Sequence, residues 1–264
     1  MRPNRLREMW QRGDAAVNGW LQIPHGFAAE IMAAQGWDSL TVDMQHGPVG
    51  YDTALTLLQA FSSSEATPLA RVPWNEPGII MKMLDAGAYG IICPMINTPE
   101  EAKRFVGACR YPPRGYRSFG PTRVSYYAGA DYAAHANDTV IALAMIETAQ
   151  AIANLDEILD TPGLDGVYVG PADLSQSLTG KPGVDHREGP VAEAIDQILE
   201  ACRKRDLIAG IHVAGTDYAR HIIDRGYRFV TILADGRLLA GAAKQAVDEV
   251  KQKDIGAGKA AGPY

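Results

Sequence analysis

Gly166-Val167-Tyr168-Val169-Gly170-Pro171-Ala172-Asp173 is a short apolar run that ends in a Gly-Pro turn and an acidic residue. Such a run is typical of a parallel strand that is buried on both faces and turns directly into its next element. Similar runs recur along the chain, and several of them also end in a charged residue, as in residues 40–46, 68–71 and 141–147. A parallel barrel brings all such ends together at one rim, so the pattern indicates an enzyme.

Eight of these runs alternate with helical patterns. We predict strands at residues 17–23, 39–43, 68–72, 89–93, 140–146, 166–169, 207–213 and 228–233. Between these strands, Gly87 stands where the helix after the third strand would end, and Pro99 stands where the helix after the fourth strand would begin. No G-x-G-x-x-G motif follows an early strand, which disfavours an open dinucleotide-binding sheet. The alternation therefore predicts one α/β domain over residues 1–264, a closed (β/α)₈ TIM barrel.

Two segments depart from this alternation. Residues 111–138 are rich in Pro, Gly, Tyr and Arg and connect strands four and five. Because long connections in compact domains are usually functional, we predict that this one lies on the active-site side. Residues 253–264, rich in Gly and Ala, are predicted to be a mobile tail.

Composition restricts the class of partner. A net charge of −6 is unlike the dense basic surface of nucleic-acid-binding proteins. No apolar run approaches the roughly 20 residues of a membrane span, so a cytoplasmic enzyme with a small-molecule partner is expected. The three cysteines, Cys93, Cys109 and Cys202, are widely spaced and indicate neither a disulfide framework nor a thiolate zinc site.

Glu147 and Asp173 follow consecutive predicted strands, which would place their carboxylates side by side at the rim. Two hard oxygen ligands with room for water suit Mg²⁺, Mn²⁺ or Co²⁺. The simpler interpretation is that each carboxylate caps the helix after it. Backbone amides of residues 170–173, at the start of a short helix, could hold an anion such as a carboxylate.

His46, Asp43 and Arg71 also lie at strand ends. Histidine is the commonest general base, and a nearby carboxylate can fix its tautomer. Arg71 could stabilise negative charge on a substrate oxygen, or form a structural ion pair with Glu76 or Asp43. A Schiff-base mechanism needs a lysine at a strand end, and none of the eight lysines is predicted there: Lys82, Lys103, Lys181, Lys204, Lys244, Lys251, Lys253 and Lys259.

The motifs resemble the HpcH/HpaI-type class II pyruvate aldolases, also called hydroxyketoacid or 2-keto-3-deoxy sugar acid aldolases. The match covers roughly residues 15–250 and runs through Trp20 and residues 42–47, 71–75, 84–88, 111–115, 146–148 and 165–175. The resemblance implies a TIM barrel of the phosphoenolpyruvate/pyruvate-binding type. It also implies reversible cleavage of a 4-hydroxy-2-oxo acid into pyruvate, or a related 2-oxo acid, and an aldehyde.

The resemblance further implies a role for each site residue. Glu147 and Asp173 would bind the divalent metal, and Arg71 would contact the keto oxygen of the substrate. His46, paired with Asp85 and near Asp43, would be the base or would orient the water that is. The implied substrate-binding residues are Trp20, Gly170, Pro171, Ala172 and Asp173.

Family members assemble as hexamers, trimers of dimers in which the last helix packs on a neighbouring subunit. The apolar stripe of the final predicted helix is compatible with this assembly, or with covering its own barrel. Two positions depart from a common family pattern, with Gln45 in place of Glu and Met145 in place of Gln. The alternatives are an acyl-CoA lyase of the malyl-CoA or citryl-CoA type, which needs extra room for a nucleotide tail, and a barrel without catalysis.

Overall fold

The computed structural model describes residues 1–251, and within them eight parallel strands close into a barrel in chain order, with β1 pairing β8. The predicted TIM barrel is confirmed. The strands are β1 Ala16–Leu21, β2 Ser39–Asp43, β3 Thr67–Arg71, β4 Gly90–Cys93, β5 Ile141–Ile146, β6 Gly166–Val169, β7 Ile208–Val213 and β8 Phe229–Ile232. The tail predicted at residues 253–264 lies outside the described residues.

Helices follow the strands around the outside of the barrel. Between residues 1 and 251 they are α1 Arg5–Gln11, α2 Gly26–Ala33, α3 Tyr51–Ala60, α4 Pro77–Ala86, α5 Pro99–Cys109, α6 Arg123–Ala128, α7 Tyr132–Thr139, α8 Ala149–Ala153, α9 Leu155–Leu159, α10 Pro171–Thr179, α11 Gly189–Arg203, α12 Thr216–Arg225 and α13 Asp235–Val250. Thr98 caps α5 in a reciprocal capping box with Glu101, as the Thr-Pro start predicts. None of the helices in this part of the chain is long and apolar enough to cross a membrane.

The apolar core forms two layers. A large layer lies between the strands and the surrounding helices, and a smaller one fills the barrel interior. Helix α1 covers the amino-terminal end of the interior, where Leu6 is fully buried against the first residues of several strands. The Trp10 indole donates to the carbonyl of Arg228 at 2.9 Å and fixes the helix there. This end is therefore closed, which leaves the opposite rim as the open one.

The connection at residues 111–138 lies at the closed end, because it runs from the end of α5 to the start of β5. It contains α6 and α7, and Arg123 donates to the carbonyl of Ala86 at the end of α4. Within the chain, none of its residues lines the cavity at the open rim. Its position in the chain, between a helix and the next strand, therefore places the connection at the end of its own barrel away from the open rim.

Candidate active site

A cavity of about 520 Å³ opens at the carboxyl ends of the strands. Its wall includes residues from five strands and from the turns that follow the strands. Among the lining residues are Trp20, Gln22, His46, Arg71, Met145, Glu147, Tyr168, Gly170, Pro171, Ala172, Asp173, His212 and Arg237. The predicted substrate-binding and metal-binding residues therefore share one cavity.

Arg71 and Asp43 form a buried ion pair on the neighbouring ends of β3 and β2. Arg71 donates through Nε and Nη2 to the two oxygens of Asp43, at 2.8 and 2.7 Å. Burial alone would raise the pKa of Asp43, but the guanidinium and the amide of Gln22 hold it well below its usual value. Of the two ion-pair partners considered for Arg71, Asp43 and Glu76, the structure has Asp43. This pair orients the guanidinium, which also lines the cavity.

Glu147 is buried to 1% exposure at the end of β5. The backbone N–H of Met95 donates to its Oε1 at 2.7 Å. Burial is the main cause that raises its pKa to about 7, and the nearby carboxylate of Asp173 contributes to that rise. Ionising this carboxylate therefore costs the folded protein free energy unless a positive charge lies beside it.

The turn after β6 approaches Glu147 closely. A Cβ at position 170 would overlap Glu147 Oε2, so only glycine fits there. Helix α10 begins at Pro171, and Ala172 and Asp173 lie in its first turn on the cavity wall. The first N–H groups of a helix have no partner within the helix, and they carry its positive end. The wall therefore offers an anion-binding turn directly beside two carboxylates.

His46 lies on the same wall, on the connection that follows β2. Its pKa is lowered by burial and by Arg71, and Asp43 and Asp173 partly oppose that effect. Asp85 is not among these groups. It lies near the carboxyl end of α4 and accepts a 2.6 Å hydrogen bond from Arg117. Within one chain the structure does not bring Asp85 to His46, because α4 carries it away from the rim.

Comparison with known proteins identifies the family. Residues 20–242 match the sequence profile described as HpcH/HpaI aldolase/citrate lyase. The chain belongs to the HpcH/HpaI aldolase/citrate lyase family. It is 42% identical to a hydroxypyruvate/pyruvate aldolase of Rhizorhabdus wittichii, over 94% of this chain and 99% of that protein. It is 36% identical to a 4-hydroxy-2-oxo-heptane-1,7-dioate aldolase of Escherichia coli, over 91% of this chain and 92% of that one.

The structural comparison agrees with the sequence comparison. A crystal structure of an HpcH/HpaI aldolase/citrate lyase family protein from Burkholderia cenocepacia superposes with a TM-score of 0.88 at 32% identity. The superposition covers 94% of this chain and 99% of that one. The protein is therefore a carbon–carbon lyase of the aldolase type.

Three cavity residues of this HpcH/HpaI aldolase were missed by the sequence analysis. Gln22 donates to Asp43 Oδ2 at 2.8 Å and supports the ion pair. Tyr168 stacks on Trp20 with ring centroids 5.7 Å apart, and His212 meets the same indole edge to face at 5.3 Å. The sequence signal that could have identified His212 is its position near the carboxyl end of β7. No acidic residue stands beside His212 in the sequence, so the pattern that singles out His46 does not single out His212.

Proposed function

We propose that Glu147 and Asp173 hold a divalent cation, Mg²⁺, Mn²⁺ or Co²⁺, in this class II aldolase. The enzyme cleaves a 4-hydroxy-2-oxo acid into pyruvate, or a related 2-oxo acid, and an aldehyde. The observation that carries the proposal is the pair of carboxylates on one cavity wall, one of them buried and held at a pKa of about 7. A divalent cation would compensate both charges.

The donor set fits such a cation. Across residues 1–251 there is no cluster of three or more His, Cys, Asp or Glu side chains that could hold a metal. Two carboxylates alone leave several positions for water and substrate oxygens, as hard cations such as Mg²⁺ require, and do not make a closed zinc site. When bound, the cation would act as a Lewis acid toward the 2-oxo acid.

The remaining residues have separate roles. The amides of Gly170, Ala172 and Asp173 bind the substrate carboxylate at the start of α10. Arg71, held by Asp43, stabilises the negative charge that grows on the keto oxygen as the C3–C4 bond breaks. Trp20 and Pro171 shape the wall against which the acid lies. Each of these groups acts on the 2-oxo acid half of the substrate.

His46 acts on the other half. It accepts the proton of the C4 hydroxyl, directly or through a water, as C4 becomes the aldehyde carbon and the C3–C4 electron pair passes to the enolate. Its lowered pKa leaves the imidazole neutral at pH 7, so it can accept this proton. Asp85, which the family resemblance pairs with His46, would have to come from a second copy of the chain.

A homo-oligomer, a hexamer built as a trimer of dimers, would supply that second copy. On α13 the side chains of Leu239, Val247 and Val250 are 63%, 50% and 84% exposed, so this apolar face of the helix is not buried against its own barrel. Exposed apolar side chains on one helix are the expected signature of a contact with another subunit. Sedimentation velocity at micromolar concentration would measure the assembly directly.

A coupled assay tests the proposed reaction. A 4-hydroxy-2-oxo acid is supplied, and lactate dehydrogenase detects the pyruvate that forms. We expect no cleavage after exhaustive chelation and recovery with Mg²⁺, Mn²⁺ or Co²⁺. Asp173→Asn should not recover at the same cation concentration. Full activity of the chelated enzyme would refute the metal site.

A further inference from the structure

A line of buried polar side chains crosses the barrel interior, where branched apolar residues are usual. The hydroxyls of Ser39 and Thr41 donate to Asn18 Oδ1 at 2.8 and 3.1 Å. The Nδ2 of Asn18 donates to Thr231 Oγ1 at 2.9 Å. All four side chains are fully buried. Buried polar groups in a low-dielectric interior hold one another in fixed orientations.

The line continues to the cavity through β6 and β7. Thr231 lies beside the buried phenol of Tyr168, where its hydroxyl can act as a donor that opposes the rise in the pKa of Tyr168 caused by burial. The phenol oxygen lies 3.2 Å from Nδ1 of His212, on the cavity wall. Burial and the charge of Arg71 lower the pKa of His212 to about 4, so its ring is neutral at pH 7. A neutral imidazole has one N–H donor and one acceptor nitrogen.

The hydrogen-bond acceptors along this line favour one tautomer of His212. Asn18 Oδ1 already accepts two hydroxyl protons, so Asn18 donates to Thr231, and the Thr231 hydroxyl has its own proton left for Tyr168. The Tyr168 hydroxyl can give its proton to Nδ1 of His212 or back to Thr231, and the unprotonated nitrogen of a neutral imidazole is the stronger acceptor of the two. Nδ1 is therefore the acceptor, and Nε2 carries the hydrogen. His212 offers an N–H donor to a molecule in the cavity.

We infer that the Nε2–H of His212 binds a hydroxyl on C3 of the 2-oxo acid and so selects hydroxylated donors over pyruvate. The inference rests on the proposed function. His212 lies deep in the site, edge to face with Trp20 and close enough to Arg71 for its charge to act. The reactant that reaches this depth is the acid held by the start of α10 and by Arg71. Pyruvate has only a methyl group at C3 and offers this donor no acceptor.

Donor competition tests the inference. Aldol addition is measured with 3-hydroxypyruvate and with pyruvate, both with propionaldehyde as acceptor and saturating Mg²⁺. The quantity compared is the ratio of kcat/KM for the two donors. His212→Phe keeps an aromatic ring without an N–H, and we expect the ratio to fall about tenfold, the worth of one hydrogen bond. His212→Gln, which retains an amide donor, should recover part of the loss.

A double-mutant cycle tests the role of Tyr168 as a positioning residue. Tyr168→Phe removes the proton donated to Nδ1 and frees His212 to adopt the other tautomer, so the donor ratio should fall. In the His212→Gln background the same substitution should leave the ratio unchanged, because an amide donor needs no tautomer. An equal fall in both backgrounds would show that Tyr168 acts only through packing and would overturn the tautomer argument.

Further outcomes separate the inference from the proposed function. A donor ratio within twofold of wild type in His212→Phe would overturn the role of His212. A changed preference between glycolaldehyde and acetaldehyde, at a constant donor ratio, would assign His212 to the aldehyde and overturn the donor assignment. If the wild-type enzyme with Mg²⁺ exchanges the C3 protons of pyruvate, the proposed function holds even when one of these two outcomes overturns the role of His212. If wild type fails to exchange them, the proposed function itself fails.

Discussion

Replacing Glu147 with Gln should stabilise the metal-free protein at alkaline pH while abolishing metal binding. The glutamine has nearly the same shape, and its Oε1 can still accept the 2.7 Å hydrogen bond from Met95 N–H. What the substitution removes is a charge that is buried to 1% exposure and faces Asp173. In the absence of a cation, this charge opposes folding.

The magnitude follows from the pKa. Burial and then Asp173 raise the pKa of Glu147 from 4.5 to about 7, while Met95 N–H and Arg71 act in the opposite direction. Because the folded state binds this proton more tightly, the stability that it contributes is complete below pH 4.5 and is lost as the pH rises through about 7. The interval between the two pKa values corresponds to about 3 kcal/mol at 25 °C. Metal-free Glu147→Gln should therefore exceed wild type by about 3 kcal/mol at pH 8 and by about 1 kcal/mol at pH 5.

Urea unfolding of chelator-treated protein at one protein concentration, at pH 5 and pH 8, measures both differences. The exposed Glu157→Gln on α9 is the matched control and should show no pH-dependent difference from wild type. Saturating Mg²⁺ should stabilise wild type but not Glu147→Gln. A variant that is less stable than wild type at pH 8, or a difference independent of pH, would refute the argument that Glu147 is held at an electrostatic cost.

Other substitutions separate the roles of the site residues. Arg71→Lys keeps the charge but loses the planar fork that binds Asp43, so kcat should fall at least tenfold; a near-normal kcat with intact pyruvate enolisation would make Arg71 structural. His46→Ala should lower cleavage by about 10² to 10⁴-fold and leave pyruvate affinity within a few-fold, whereas lost affinity with normal cleavage at saturation would place His46 in binding. Asp43→Ala should destabilise the protein by about 3–5 kcal/mol in urea unfolding, because it leaves the Arg71 charge buried; a change below about 1 kcal/mol would contradict the buried pair.

The strand ends explain why so much of the cavity could be predicted. Parallel strands expose their carboxyl ends at one rim, so Glu147, Asp173, Arg71 and His46 needed only correct strand assignments to be brought together. A local sequence motif was equally reliable where the structure permits only one residue type at a position. Gly170 is an example, since a side chain there would overlap Glu147.

Other features of the site depend on positions across the fold that the sequence does not give. Asp85 is separated from His46 by the direction of α4, which the motif alone does not reveal. The connection at residues 111–138 was judged by its length, although its place after a helix decides the end of the barrel where it lies. The His212 ring contacts Tyr168 and Trp20, which come from two other strands, and these contacts hold it on the cavity wall. Such polar partners in a barrel interior cannot be paired from one sequence.

In the proposed mechanism the two carboxylates bind a cation with which the site forms the enolate of pyruvate. Exchange of pyruvate methyl protons with D₂O, followed by ¹H NMR without any aldehyde, tests it most directly. We expect exchange by wild type with Mg²⁺, none after chelation, and none with Asp173→Asn at the same Mg²⁺ concentration. Undiminished exchange by chelated wild type and by Asp173→Asn would contradict it.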